Sequence, residues 1–61
     1  MKFSELEKIL RKGGCKIHRQ GSSHCIWYSE ITKRKFSVSR HKTEEVPIGT
    51  LKSIMRDAGL E

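Results

Sequence analysis

Gly21-Ser22-Ser23-His24 is the segment of this 61-residue sequence best suited to chemistry. A histidine follows a small polar turn and opens the apolar run Cys25-Ile26-Trp27-Tyr28. Glycine lets another stretch of backbone approach the turn closely, and an extended strand would hold the imidazole in place. Imidazole is the side chain whose ordinary titration lies nearest neutrality, so it serves as general acid or base. In a basic chain, one positioned histidine is a minimal kit for cutting RNA without a metal. That reaction needs a base for the 2′-hydroxyl, an acid for the leaving 5′-oxygen, and cations for the phosphorane charge. His24 can supply one proton transfer, and Arg19 can hold a phosphate oxygen. A second acid–base group is not evident, because strand alternation turns His18 away and His41 belongs to a distant loop. A lone histidine opening a strand is more often structural, so the catalytic reading leans on the Gly-Ser turn, the charge and Arg19.

Other chemistries fit less well. Cys15, His18, His24, Cys25 and His41 could be drawn as a metal site, but Cys-x-x-Cys spacing is absent and Cys15-x-x-His18 would place its ligands on opposite strand faces. No metal is expected. Cys25 as a nucleophile competes with the commoner case of an idle thiol. Lys16, Lys33, Arg34, Lys35, Arg40 and Lys42 fall on strand and loop positions, and Trp27 is expected to share their exposed face. Basic residues interleaved with an aromatic suit RNA. The plain alternatives are a solvated charged face, or a protein partner covering the exposed Trp27.

Composition bounds these readings. Lys and Arg number 13 against 7 Asp and Glu, a formal net charge of +6, and the isoelectric point is about 9.8. Such a balance favours a polyanionic partner. A chain this short reads as a single domain over residues 1–61, burying only about 60% of its unfolded surface. Hydrophobic residues make up 34%, enough for one thin core layer and too few to enclose a cofactor, so none is expected. No stretch approaches the roughly 20 apolar residues of a membrane span, and Met1-Lys2-Phe3-Ser4-Glu5 lacks the apolar core of a signal peptide. A cytoplasmic chain with two unpaired cysteines is the simplest expectation.

The elements that must position His24 can be read from periodicity. Ser4-Glu5-Leu6-Glu7 fits a capping box, and Phe3, Leu6, Ile9 and Leu10 make a helical stripe. Gly13-Gly14 ends a helix over residues 5–12, with Lys8, Arg11 and Lys12 near its C-terminus. Residues 15–19 and 24–29 read as strands around a turn at 20–23. Thr32-Lys33-Arg34 connects to a third strand at 35–39, with Phe36 and Val38 on one face. Residues 40–46 form a charged loop. Pro47 suits the first turn of a second helix, whose stripe is Ile48, Leu51, Ile54, Met55 and Ala58, with Gly59 just past its end. Val46 is a poor cap and Gly49 a poor helix former. The order is α-β-β-β-α, an α+β fold with two helices on one face of a three-stranded antiparallel meander.

If the first hairpin pairs Arg19 with His24, His18 with Cys25 and Ile17 with Ile26, alternation puts Cys15, Ile17, Arg19, His24, Ile26 and Tyr28 on one face. Lys16, His18, Cys25 and Trp27 fall on the other. The first face is the more apolar and is expected to meet the helices. His24 would then lie at the rim of the core, partly desolvated and beside a cation, and both effects favour neutral imidazole. A slip of one residue would reverse this assignment. The same register separates Cys15 from Cys25 beyond the reach of a disulfide.

Four blocks in order resemble a known family: Gly21-Ser22-Ser23-His24 with Ile26-Trp27-Tyr28; Lys35-Phe36-Ser37-Val38-Ser39-Arg40-His41; Ile48-Gly49-Thr50-Leu51; and Ala58-Gly59-Leu60. Together they resemble the HicA family of bacterial mRNA interferase toxins, over nearly the whole chain. The resemblance implies a double-stranded-RNA-binding-domain-like fold, cleavage of mRNA, growth arrest and neutralisation by a HicB-type antitoxin. It places the family's catalytic histidine on His24. Ser39 stands where a proline is common, and Cys25 where a polar residue is common, consistent with an outer-face position. A non-catalytic RNA-binding module of the same fold, and a domain that serves mainly to bind its antitoxin, are the alternatives.

Overall fold

A computed structural model describes all residues, 1–61. The chain runs α1 (Phe3–Lys12), β1 (Cys15–Gln20), β2 (His24–Ser29), β3 (Lys35–Ser39) and α2 (Ile48–Ala58). The strands form an antiparallel sheet in the order β1-β2-β3. This is the α+β, double-stranded-RNA-binding-domain-like layout expected from the sequence.

Helix α1 buries Phe3, Leu6 and Leu10, the i, i+3, i+7 positions of its stripe. Its start lies two residues before the expected one. The backbone N–H groups of Phe3 and Ser4 donate to the carbonyls of Glu44 and Lys42, each at 3.1 Å. A loop thus supplies the acceptors that a helix N-terminus lacks. Lys2 is the N-cap, its N–H donating to Glu5 Oε1 at 3.1 Å, so the Ser4–Glu7 capping box is not the one used. Helix α2 ends on Gly59 at φ 75°, the left-handed cap that glycine adopts without strain. Pro47 is its N-cap rather than its first helical residue. Ile48, expected on the buried stripe, is 73% exposed, whereas Ile54 and Ala58 are buried.

Residues from α1, α2, one sheet face and the β3–α2 connection form a single core: Phe3, Leu6, Leu10, Cys15, Cys25, Trp27, Phe36, Val38, Val46, Ile54 and Ala58. The inward residues of β2 are therefore Cys25, Trp27 and Ser29, the reverse of the expected set. Trp27 is 1% exposed, Cys25 is buried, and His24 faces water. Register explains the reversal. Cys15 pairs with Ser29, Lys16 with Tyr28 and Ile17 with Trp27, one residue away from the expected pairing, and a bulge follows between Ile17 and Arg19. A one-residue slip exchanges the two faces of a strand. On β3, Trp27 pairs with Phe36 and Cys25 with Val38, so the correctly read Phe36 and Val38 carry Trp27 and Cys25 inward with them. Trp27 is also covered by the guanidinium of Arg11, 5.2 Å from the ring centroid, instead of being presented to a partner. Both cysteines are free and buried on the same face; Cys15 stands opposite Ser29 and Cys25 opposite Gln20, far apart along the strands.

The end of the sheet remote from His24 is bolted to α2. Buried Ser29 donates from Oγ to Ala58 O at 2.7 Å and accepts from the N–H groups of Ile31 and Thr32 at 3.2 and 3.3 Å. Thr32 Oγ1 donates to Asp57 O at 2.5 Å.

Candidate active site

The turn that carries His24 is shaped by glycine. Gly21 N–H donates to His24 O at 2.8 Å, closing the hairpin. A Cβ on Gly21 would sit 2.8 Å from that same oxygen. The close backbone approach expected here is thus between the two ends of the turn itself. Arg40 clamps the turn from β3's end: its N–H donates to Ser23 O at 3.1 Å and its guanidinium to Gly21 O at 2.5 Å.

His24 stands at the head of β2, opposite Ser39. Ser23 Oγ and His24 Nδ1 are 3.2 Å apart. When Nδ1 carries the proton and donates to Ser23, the Nε2 lone pair is free to act as a base. The imidazole forms part of the wall of two hollows. One, of about 370 Å³, is lined by Arg19, Gln20, the turn residues Gly21, Ser22 and Ser23, and Ile26. The other, of about 530 Å³, opens beside β3 and is lined by Ser37, Ser39, His41, Glu44, Glu45 and Thr50 among others. Exposure removes the desolvation expected for His24, since the residue lies on the open face and not at the rim of the core.

The seven cations expected to bind RNA divide into groups. Arg19 shares a hollow with His24, on the same open face, because the bulge brings it opposite Ile26. Arg40 and Lys42 lie together beside α1 and β1, in a hollow with Arg11 and Gln20. Lys16 and Lys35 flank Tyr28 at the far end of the open face. Lys16 and Lys33 pair with Glu30 at 3.1 and 3.5 Å, and Arg34 reaches Asp57 at 3.7 Å. The two lysines hold Glu30's carboxyl below the ordinary glutamate range, with the Lys16 hydrogen bond the leading cause. Lys33 and Arg34 belong to the β2–β3 connection and are remote from His24.

His41 is the residue the sequence reading misplaced. The loop that carries it is not distant, because His41 lines the larger hollow with His24. The β2–β3 ladder holds the signal, since Ser39 pairs with His24 and His41 follows two residues later. Thr50, from the Ile48-Gly49-Thr50-Leu51 block, also lines this hollow, as do Glu44 and Glu45, which no sequence pattern singles out. No group of three or more His, Cys, Asp or Glu side chains is arranged to hold a metal ion. No helix is long and apolar enough to cross a membrane.

The profile of the family described as HicA toxin of bacterial toxin-antitoxin matches residues 3–60. The chain belongs to the HicA toxin family. It is thus a toxin of a toxin–antitoxin system, with a cognate antitoxin as its partner. No match was found among curated proteins or among solved structures. In this HicA toxin the family match spans the turn, both hollows and both helices, so the exposed histidine lies within the matched region.

Proposed function

We propose that this toxin is an endoribonuclease that cleaves mRNA by acid–base chemistry without a metal, with His24 transferring a proton. The observation that carries the reading is the exposed imidazole, fixed at a strand head by a glycine-closed turn and shared by two open hollows on a chain of net charge +6. A substrate the size of a nucleic acid strand needs an open surface, and both hollows are open to one. Arg19 holds a phosphate oxygen or offsets the charge that builds on it. Lys35, Arg40 and Lys42 draw the polyanion to the domain. Lys16, Lys33 and Arg34, each sharing its charge with an acid, contribute less to binding. A HicB-type antitoxin neutralises the toxin by covering His24 and the basic residues around it.

The test is incubation of long mRNA, in the presence of a chelator, with the wild-type chain and with His24→Ala. Loss of general acid–base catalysis lowers rates by about 10²–10⁴-fold, so cleavage by the wild type alone is expected. Equal cleavage by both chains would refute the role of His24. RNA bound but left intact by both would show a binding module in place of a nuclease.

A further inference from the structure

A lone histidine leaves cleavage half-equipped, because the leaving 5′-oxygen also needs a proton. His41 lines the larger hollow together with His24. His24 is opposite Ser39 in the ladder, about 5 Å away between α-carbons, and His41 lies two residues on, at most about 7 Å further. The backbone at His41 is tied down on both sides. Its own N–H donates to Ser39 Oγ at 3.2 Å, and the preceding N–H, of Arg40, donates to Ser23 O at 3.1 Å. Its carbonyl accepts from Glu44 N–H at 3.1 Å. Beyond it the loop is pinned to the start of the chain through Lys42 O, Glu44 O and Val46 N–H, and Val46 is buried. Both imidazoles are exposed and line one hollow of about 530 Å³, room for a phosphodiester between them.

The charged groups around that hollow are few. Glu45 is neutralised by the Met1 ammonium at 3.0 Å and Lys2 at 3.2 Å. Glu44 has no ion-pair partner and lines the hollow beside His41. Arg40 and Lys42 adjoin His41 in the chain, with the Arg40 guanidinium turned to Gly21 O. β3, α2 and its N-cap contribute Ser37, Ser39, Thr50 and Pro47, none charged.

Resting on the ribonuclease reading, we propose that His41 is the general acid that partners His24. His24 takes the 2′-hydroxyl proton as O2′ bonds to phosphorus. The P–O5′ bond breaks, and His41 gives its ring proton to O5′. The products are a 2′,3′-cyclic phosphate and a 5′-hydroxyl, and exchange with water restores both imidazoles.

The test compares wild type, His24→Ala, His41→Ala and His41→Asn on an RNA and on the same RNA with sulfur in place of the scissile 5′-oxygen, a leaving group that departs without protonation. Both His41 variants are expected to lose about 10²–10⁴-fold on ordinary RNA, to lose the alkaline limb of the pH–rate profile, and to cleave the sulfur substrate at near wild-type rates. His24→Ala stays slow on both. Wild-type cleavage of ordinary RNA by the His41 variants, or an equal loss on both substrates, overturns the assignment while leaving His24 in place. If the wild type cuts neither substrate, or His24→Ala cuts both normally, the ribonuclease reading itself fails.

Discussion

Replacing Gly21 with alanine tests whether the turn's geometry, rather than its composition, holds His24. The added Cβ would lie 2.8 Å from His24 O, about 0.6 Å short of the 3.4 Å at which ordinary contact begins. The obstructing atom is backbone and cannot swing aside. Its residue is held in the ladder opposite Ser39, and the Gly21 carbonyl is held by Arg40. Relief must therefore lengthen the 2.8 Å hydrogen bond from Gly21 N–H to His24 O and displace the start of β2. Overpacking of this kind costs about 1–3 kcal/mol. A domain of this size holds about 3–9 kcal/mol in all, and each kcal/mol moves the midpoint by about 4–8 °C, so a fall of about 5–20 °C is expected in a circular-dichroism melt. A displacement approaching 1 Å lowers a positioned catalyst's rate by about 100-fold, so RNA cleavage should fall further than folding does. Gly49→Ala is the internal contrast. No atom lies within 4 Å of its added Cβ and the site is helical, so alanine should stabilise by about 0.5–1 kcal/mol. A Gly21→Ala chain that melts within about 2 °C of wild type and cuts RNA at the wild-type rate would refute the argument.

The other expectations concern the supports of the fold. Ser29→Ala removes the buried hydroxyl that bridges Ala58 O and the N–H groups of Ile31 and Thr32; one lost bond plus partners left unsatisfied gives about 2–4 kcal/mol of destabilisation in urea titration, and a change below about 0.5 kcal/mol would show water taking the place of the hydroxyl. Glu45's carboxyl lies below the ordinary glutamate range, first through its hydrogen bond from the chain's ammonium and then through that from Lys2. Its contribution to stability is thus full above the ordinary range and lost as pH falls through the lower folded value. Carboxyl NMR should show that depressed titration, and Glu45→Gln should flatten the acid limb of the stability curve. An ordinary Glu45 midpoint would mean that the ion pairs do not persist in solution.

The element order, the three strands and the end of α2 were legible because each has a local cause: the stripe of α1, the turn residues 20–23, and Gly59 past Ala58. The start of α1 was not, because the acceptors that extend it are carbonyls of Lys42 and Glu44, remote in sequence. The exposure of Ile48 was hidden for a similar reason, since periodicity alone does not say how far a helix projects beyond its sheet. His24 and its glycine were legible from local residue types. His41's position was not, because it depends on the β2–β3 register, a pairing between segments remote in sequence that sets Ser39 opposite His24.

The face that His24 occupies is decided three residues further along. The segment His24-Cys25-Ile26-Trp27-Tyr28-Ser29 is apolar on both faces, Ile26 and Tyr28 against Cys25 and Trp27, so alternation alone has no winner. Size breaks the tie. A buried Trp removes about 150–250 Å² from water, about 4–6 kcal/mol at about 25 cal/mol per Å², and in the register observed Trp27 pairs with Phe36 while Cys25 pairs with Val38. Ser29 on the same parity adds its hydroxyl to the end of α2, a buried polar group with every partner supplied. Once Trp27 and Ser29 point inward, His24 must point outward, at the open end of the sheet where it lines one hollow with Arg19 and another with His41. The bulge between Ile17 and Arg19 then reconciles β1 with this choice, keeping Ile17 beside the core while bringing Arg19 opposite Ile26. The exposure of the histidine is therefore a consequence of core packing: a strand whose parity is fixed by its largest side chain presents that histidine to solvent, and the Ser23 hydroxyl is left only to orient the ring.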